Sequence, residues 1–227
     1  MKTYEFGTTD SDIVLIHPAD DHDLEGIENE YMTINNSCDR NFCLIAVRID
    51  DWNNDLSPWE APAVFGKESF GNGASETLDE LLELCSDKSR TYYIGGYSLA
   101  GLFALWAAYQ TDVFKGVAAA SPSMWFTGFA EYMKKNAIKT DTVYLSLGDR
   151  EEKAHNPIMA TVGDRIREAH VLLKEQGVNC ILEWNKGNHF KDPDLRTAKA
   201  FAWVLNNKNN FIAEYIPQTS FSSALKS

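Results

Sequence analysis

Short apolar runs alternate with amphipathic stretches along this chain. The runs at 12–17, 42–49, 91–97, 116–121, 142–148 and 179–184 are almost continuously apolar. Continuous rather than alternating apolar character marks strands covered on both faces, so these runs predict a buried sheet. Between them, apolar residues recur at helical spacing over 74–85, 98–110, 127–136, 161–177 and 192–207. Ser75 is the expected cap of the first helix, Gly177 the expected stop of the fourth, and Asp192 or Asp194 opens the last. "YEFG" near the start adds an edge strand. The alternation predicts a single α/β domain over 1–227, with a mostly parallel sheet and helices on both faces. The tail at 217–227 is expected to be loosely ordered.

The stretch 50–73 breaks the rhythm. It holds two Trp, two Phe, two Pro and three Gly and no clear period. Long irregular loops inside a compact domain are functional or disordered. The aromatic content argues for a loop folded over the surface. No helix is assigned after the first central strand, where "DDHD" (20–23) reads as a solvated turn. A contiguous acidic run without helical spacing makes a poor metal site.

Composition narrows the function classes. Lys and Arg number 21 against 33 Asp and Glu, a formal charge of −12. Such a surface repels phosphate backbones, so nucleic acid is not an expected partner. Strongly anionic substrates are disfavoured too, unless the fold assembles a local basic pocket. No apolar run has the length of a membrane span, and no charged-then-apolar leader pattern opens the chain. Cys38, Cys43, Cys85 and Cys180 lack metal-ligand spacing and read as free thiols of a cytoplasmic protein.

The chemistry concentrates where "YYIGGY" meets "SLAGLFALWAAY". Ser98 sits at the end of a strand and the start of a helix, flanked by Gly95, Gly96, Ala100 and Gly101. A turn alone needs the glycines; a nucleophile held on a sharp turn needs the serine as well. Small residues two before and two after it avoid collision, and the helix N-terminus aims N–H groups at a developing oxyanion. The Leu99 N–H is the first such donor. An activated serine also needs a base, and the base a carboxylate. His189 lies in "EWNKGNHFKD", between the last strand and last helix, with Gly187 to let the loop turn. His17 and His22 precede the serine, His155 lies in a polar loop, and His170 sits inside a helix.

"GYSLAG" resembles the G-x-S-x-G nucleophile elbow of the α/β-hydrolase superfamily, with Ala100 in place of the closing glycine. "DLSPW" (55–59) and "AAASPSMW" (118–125) are similar to elements of its enterochelin-esterase and esterase-D-like branch. With "GNHF", the resemblance spans most of 12–206. It implies an α/β-hydrolase fold without a separate lid domain and a Ser, acid, His order along the chain. Ser98 and His189 take the first and last places. The acid belongs to "GDREE", where Glu151 stands three positions after Gly148 and Asp149 is the alternative. The second oxyanion donor belongs to the loop "HPAD", where Pro18 has no N–H. Ala19 is therefore the matching donor and Asp20 the fallback. Tyr97, Trp52, Trp59 and Trp125 are expected to line a substrate pocket, with Phe65 and Phe70 as further candidates. The resemblance implies a cofactor-independent serine esterase or thioesterase acting on a small-molecule ester. Acyl transfer on the same triad, or a binding protein on a hydrolase scaffold, are the alternatives, and the oligomeric state stays open.

Overall fold

A computed structural model describes residues 1–207; the expectation for 217–227 lies outside the described residues. Seven strands form one sheet: β1 (Lys2–Gly7), β2 (Ile13–Ala19), β3 (Cys43–Arg48), β4 (Thr91–Tyr97), β5 (Phe114–Ala120), β6 (Thr142–Gly148) and β7 (Asn179–Asn185). Their order is β1-β3-β2-β4-β5-β6-β7. All neighbours run parallel except β1, which pairs antiparallel with β3 at the edge. The seven helices are α1 (Asp21–Ser37), α2 (Trp52–Asp55), α3 (Ala74–Leu84), α4 (Ser98–Gln110), α5 (Phe129–Lys135), α6 (Val162–Glu175) and α7 (Pro193–Asn206).

The sheet divides the core in two. On one face α3, α4, α5 and α6 pack against Ile16, Val47, Ile94, Val117 and Leu145. On the other, α1 and α7 cover Leu15, Leu44, Tyr93 and Tyr144. Every residue of α4 from Leu99 to Tyr109 is buried, which is why "LAGLFALWAAY" carries no polar face. Each fully buried Leu or Phe there contributes about 1.5–3 kcal/mol. Gly177 ends α6 as expected, at φ +81°, with the Val178 N–H bonded to Leu173 O at 3.0 Å.

Two local expectations are corrected. Helix α1 fills the segment left without one. Asp20 is its cap, accepting the Asp23 N–H at 2.7 Å, and Asp21 and Asp23 favour the positive end of the dipole. Leu24, Ile27, Tyr31 and Ile34 form its inward stripe. Helix α3 is capped by Gly73 rather than by Ser75, which lies exposed in its first turn. A Cβ at Gly73 would stand 2.7 Å from Asn54 Nδ2, so the close approach of α2 selects the glycine.

The stretch 51–73 is folded down, not free. Ala61 and Phe70 exchange both main-chain hydrogen bonds, and Leu56 and Phe70 are buried. No helix of the described residues is long and apolar enough to cross a membrane.

Candidate active site

The carboxyl ends of β4, β5, β6 and β7 converge, and the residues that follow them build the site. Ser98 leaves β4 at φ +55°, a strained value for a side chain other than glycine. The neighbours explain how the turn closes. A Cβ at Gly96 would lie 2.7 Å from the Ala100 Cβ, and one at Gly101 would lie 2.9 Å from Gly96 O. Ser98 remains partly accessible while Leu99 and Ala100 are buried.

His189 reaches Ser98 from the loop after β7. Its Nε2 is 3.0 Å from Ser98 Oγ and its Nδ1 is 2.7 Å from Glu151 Oε2. Gly187 turns this loop at φ +121°. Of the two acids weighed, the structure brings Glu151 to the imidazole. Asp149 points elsewhere: its Oδ1 accepts the Gly187 N–H at 2.9 Å, tying the acid loop to the histidine loop.

Glu151 is buried and heavily held. Its Oε1 accepts from the Gly148 N–H at 2.7 Å, from Ser121 Oγ at 2.8 Å and from Arg196 at 3.2 Å. Arg196, buried on α7, also donates to the Tyr97 hydroxyl at 3.0 Å. Tyr97 donates in turn to His189 O at 2.7 Å. Burial and the nearby Glu151 charge push the Tyr97 phenol up to about 12, so it stays a donor. Tyr97 therefore braces the histidine loop instead of lining a pocket.

Sequence reasoning missed Arg196 and the roles of "SPS". Ser121, strained at φ +43°, faces the acid. Ser123 Oγ stands 3.2 Å from Ser98 Oγ. The signal was present in the "AAASPSMW" resemblance, but nothing in it says which serine meets which partner. An arginine inside an amphipathic helix carries no such signal at all.

Two other expectations change. Ala19 ends β2, and its carbonyl accepts the Ile49 N–H at 3.0 Å. In a parallel ladder one residue's N–H and C=O face the same neighbour, so the Ala19 N–H is turned to β3, away from Ser98. Asp20, the fallback, follows in the opposite sense. Of the tryptophans, only Trp125 lines the cavity of about 340 Å³ beside His189 and Glu151. Trp59 packs on Phe126, Phe129 and Tyr132 and donates to Thr127 O at 2.8 Å. Trp52 packs partly buried against the core. Phe65 and Phe70 back Trp125 at ring separations of 6.0 and 5.8 Å. The aromatic loop thus supports the cavity wall from behind.

"DDHD" is used up locally. Asp20 caps α1, Asp21 pairs with Arg48, and exposed His22 lies 3.6 Å from Glu25. Among the described residues no group of three or more His, Cys, Asp or Glu could hold a metal ion.

No family model and no curated protein sequence matches the chain. Solved structures do. A siderophore hydrolase, EstA, of Aspergillus nidulans superposes with a TM-score of 0.59 at 17% identity, covering 89% of this chain and 86% of its own. The enterobactin esterase FES of Shigella flexneri gives 0.57 at 14%, covering 88% of this chain and 55% of its own. An acyl-protein thioesterase 2 of Zea mays gives 0.54 at 14%, covering 90% and 99%. The sheet order, the elbow after β4 and these superpositions agree: this chain has the α/β-hydrolase fold.

Proposed function

We propose that the protein is a serine hydrolase of carboxylic esters or thioesters. The observation that carries this reading is the unbroken chain of hydrogen bonds Ser98–His189–Glu151, with a cavity lined by its His189 and Glu151 members. Ser98 Oγ attacks the carbonyl carbon and its proton passes to His189 Nε2. The carbonyl oxygen becomes an oxyanion, received by the Leu99 N–H at the start of α4 and by the Asp20 N–H. The C–O or C–S bond breaks as His189 returns the proton to the leaving alcohol or thiol. Water, deprotonated by the same histidine, then releases the acyl group as a carboxylic acid. Glu151 keeps Nδ1 protonated and supports the imidazolium, while Arg196, Ser121 and the Gly148 N–H hold it in place. The neighbours are described as a siderophore hydrolase, an enterobactin esterase and an acyl-protein thioesterase, and all three descriptions fit this reaction class. The substrate is a small-molecule ester and the chemistry needs no cofactor. Four free cysteines suit a cytoplasmic setting.

A fluorophosphonate probe tests the reading. The native protein is expected to label at Ser98, and Ser98→Ala to lose the label. Label that stays in Ser98→Ala at Ser123, the adjacent hydroxyl, would overturn it.

A further inference from the structure

The cavity beside His189 joins an apolar wall to a basic rim. Its wall is apolar: Trp125, Met159, Val162 and Phe190. Its rim carries Arg150, Lys153 and His155, all exposed. The one carboxylate lining it is Glu151, whose oxygens already take protons from His189, Gly148, Ser121 and Arg196.

Acids that could neutralise the rim are turned away from it. Asp149 accepts the Gly187 N–H, and Glu152 pairs with Arg167 at 2.7 Å. Arg150 and Lys153, like Arg40 and most lysines, form no ion pair among the described residues; what sets them apart is that they line this cavity. With no free acid facing them, these two cations give the cavity a basic rim in a chain of formal charge −12. They are also held in register: the Arg150 N–H donates to Gly187 O at 3.1 Å and the Lys153 N–H to Arg150 O at 3.1 Å. Phe190 adds an aromatic ring that is 85% exposed and lies 5.6 Å from the His189 ring. Together with Trp125, Met159 and Val162 it gives the cavity an apolar lining.

We infer that this cavity receives an ester arm with an apolar body and an anionic end. The body lies between Trp125 and Phe190, and the anion meets Arg150 and Lys153, which act as specificity residues. This rests on the serine-hydrolase reading and names its substrate class. It is the exception that the net charge leaves open: a local basic pocket that composition cannot display.

Two matched ester pairs test it. One pair is 4-nitrophenyl hydrogen adipate and its methyl ester, which probes the acyl arm. The other is the acetate ester of 4-hydroxyphenylacetic acid and its methyl ester, which probes the alcohol arm. In one pair the charged member is expected to have the higher kcat/KM by about tenfold, as two partly exposed charge pairs allow. The gain should sit in KM, since the arm is bound alike in ground and transition states. It should shrink at 0.5 M salt, where the Debye length is about 4 Å against about 10 Å at 0.1 M. The charged-to-neutral ratio should fall to about one in the double variant Arg150→Gln, Lys153→Gln, and below one in Lys153→Glu, with circular dichroism reporting the fold. A ratio of one or less in both pairs for the native protein would overturn the inference, as would a ratio that the double variant leaves unchanged. Turnover of no ester, together with no labelling of Ser98, would overturn the hydrolase reading and this inference with it.

Discussion

Among the described residues, two histidines pair with a buried glutamate, and the two pairs have opposite characters. His189 Nδ1 meets Glu151 at 2.7 Å, and His17 Nδ1 meets Glu30 at 3.1 Å. His17 lies within β2 near its carboxyl end, and His189 lies in the loop after β7. The difference lies on the far side of each ring. His189 keeps a side-chain exposure of 25% and points Nε2 at Ser98, whereas His17 is 2% exposed and its Nε2 has no partner. A carboxylate behind a histidine is therefore common to both. A serine hydroxyl in front of the ring and exposure to solvent are what separate them.

Burial and a neighbouring charge compete at the His17–Glu30 pair. Burial pulls the His17 imidazole down, but the charge and hydrogen bond of Glu30 outweigh it and the net direction is up. Asp23, beside the same cluster, is pushed up to about 6 by burial, against the pull of His17. The His17–Glu30 pair is enclosed by side chains, whereas the His189–Glu151 pair faces the Ser98 hydroxyl.

The contrast can be broken most forcefully at the acids. Glu151→Gln keeps the shape but lets an amide favour the wrong histidine tautomer. Turnover of an ester should fall by about 10⁴, the loss seen for the equivalent change in a serine protease. Glu30→Gln should leave turnover per folded molecule within a few fold of native. A comparable loss of turnover in both variants would erase the distinction drawn here.

Arg196 sharpens it next. Arg196→Met removes the buried cation that holds Glu151 and Tyr97 together. Stability should drop by about 3–5 kcal/mol, as for other broken buried ion pairs. Urea unfolding measures this, and a drop under 1 kcal/mol would mean that Ser121 and the Gly148 N–H suffice. Glu30→Gln should lower stability less, by about 1–3 kcal/mol, because His17 can shed its proton when the charge is gone.

The smallest effect is a pH dependence at the sealed end. A carboxyl with a raised folded pKa is protonated in the folded state while the unfolded chain is already ionised. Its stabilisation is lost as pH rises from about 4 to about 6. His17, also raised, contributes stability below its unfolded value that is lost as pH climbs through its folded one. Asp23→Asn should therefore gain in melting temperature relative to native between pH 4 and 6 and hold that gain above. A difference between the two proteins that stays flat with pH would remove Asp23 from the account.

Much of this was legible without coordinates. Continuous apolar runs located six strands to within about two residues at each end, because strands covered on both faces have no polar side to blur them. Ser98 was legible because a strained turn demands small residues at fixed offsets. Helix α1 was not legible in the same way. Its stripe of Leu24, Ile27, Tyr31 and Ile34 is thin among acids, asparagines and a glycine, and it forms a helix because β2 and α7 cover that stripe.

The sequence by itself determined the order of chemistry along the chain: a serine after the fourth strand, acids after the sixth and a histidine after the seventh. Those facts depend on local rules of periodicity, turn sterics and residue type. Tertiary structure alone decided which acid meets the imidazole, since Asp149 and Glu151 differ by two positions in one loop and by the partner that holds each. It decided that Ala19 faces β3, that Trp59 packs while Trp125 lines the cavity, and that Arg196 backs the acid. It also set two unpaired cations around an apolar cavity in an acidic protein. Such choices rest on contacts between residues far apart in the chain, and no local pattern encodes a distance between them.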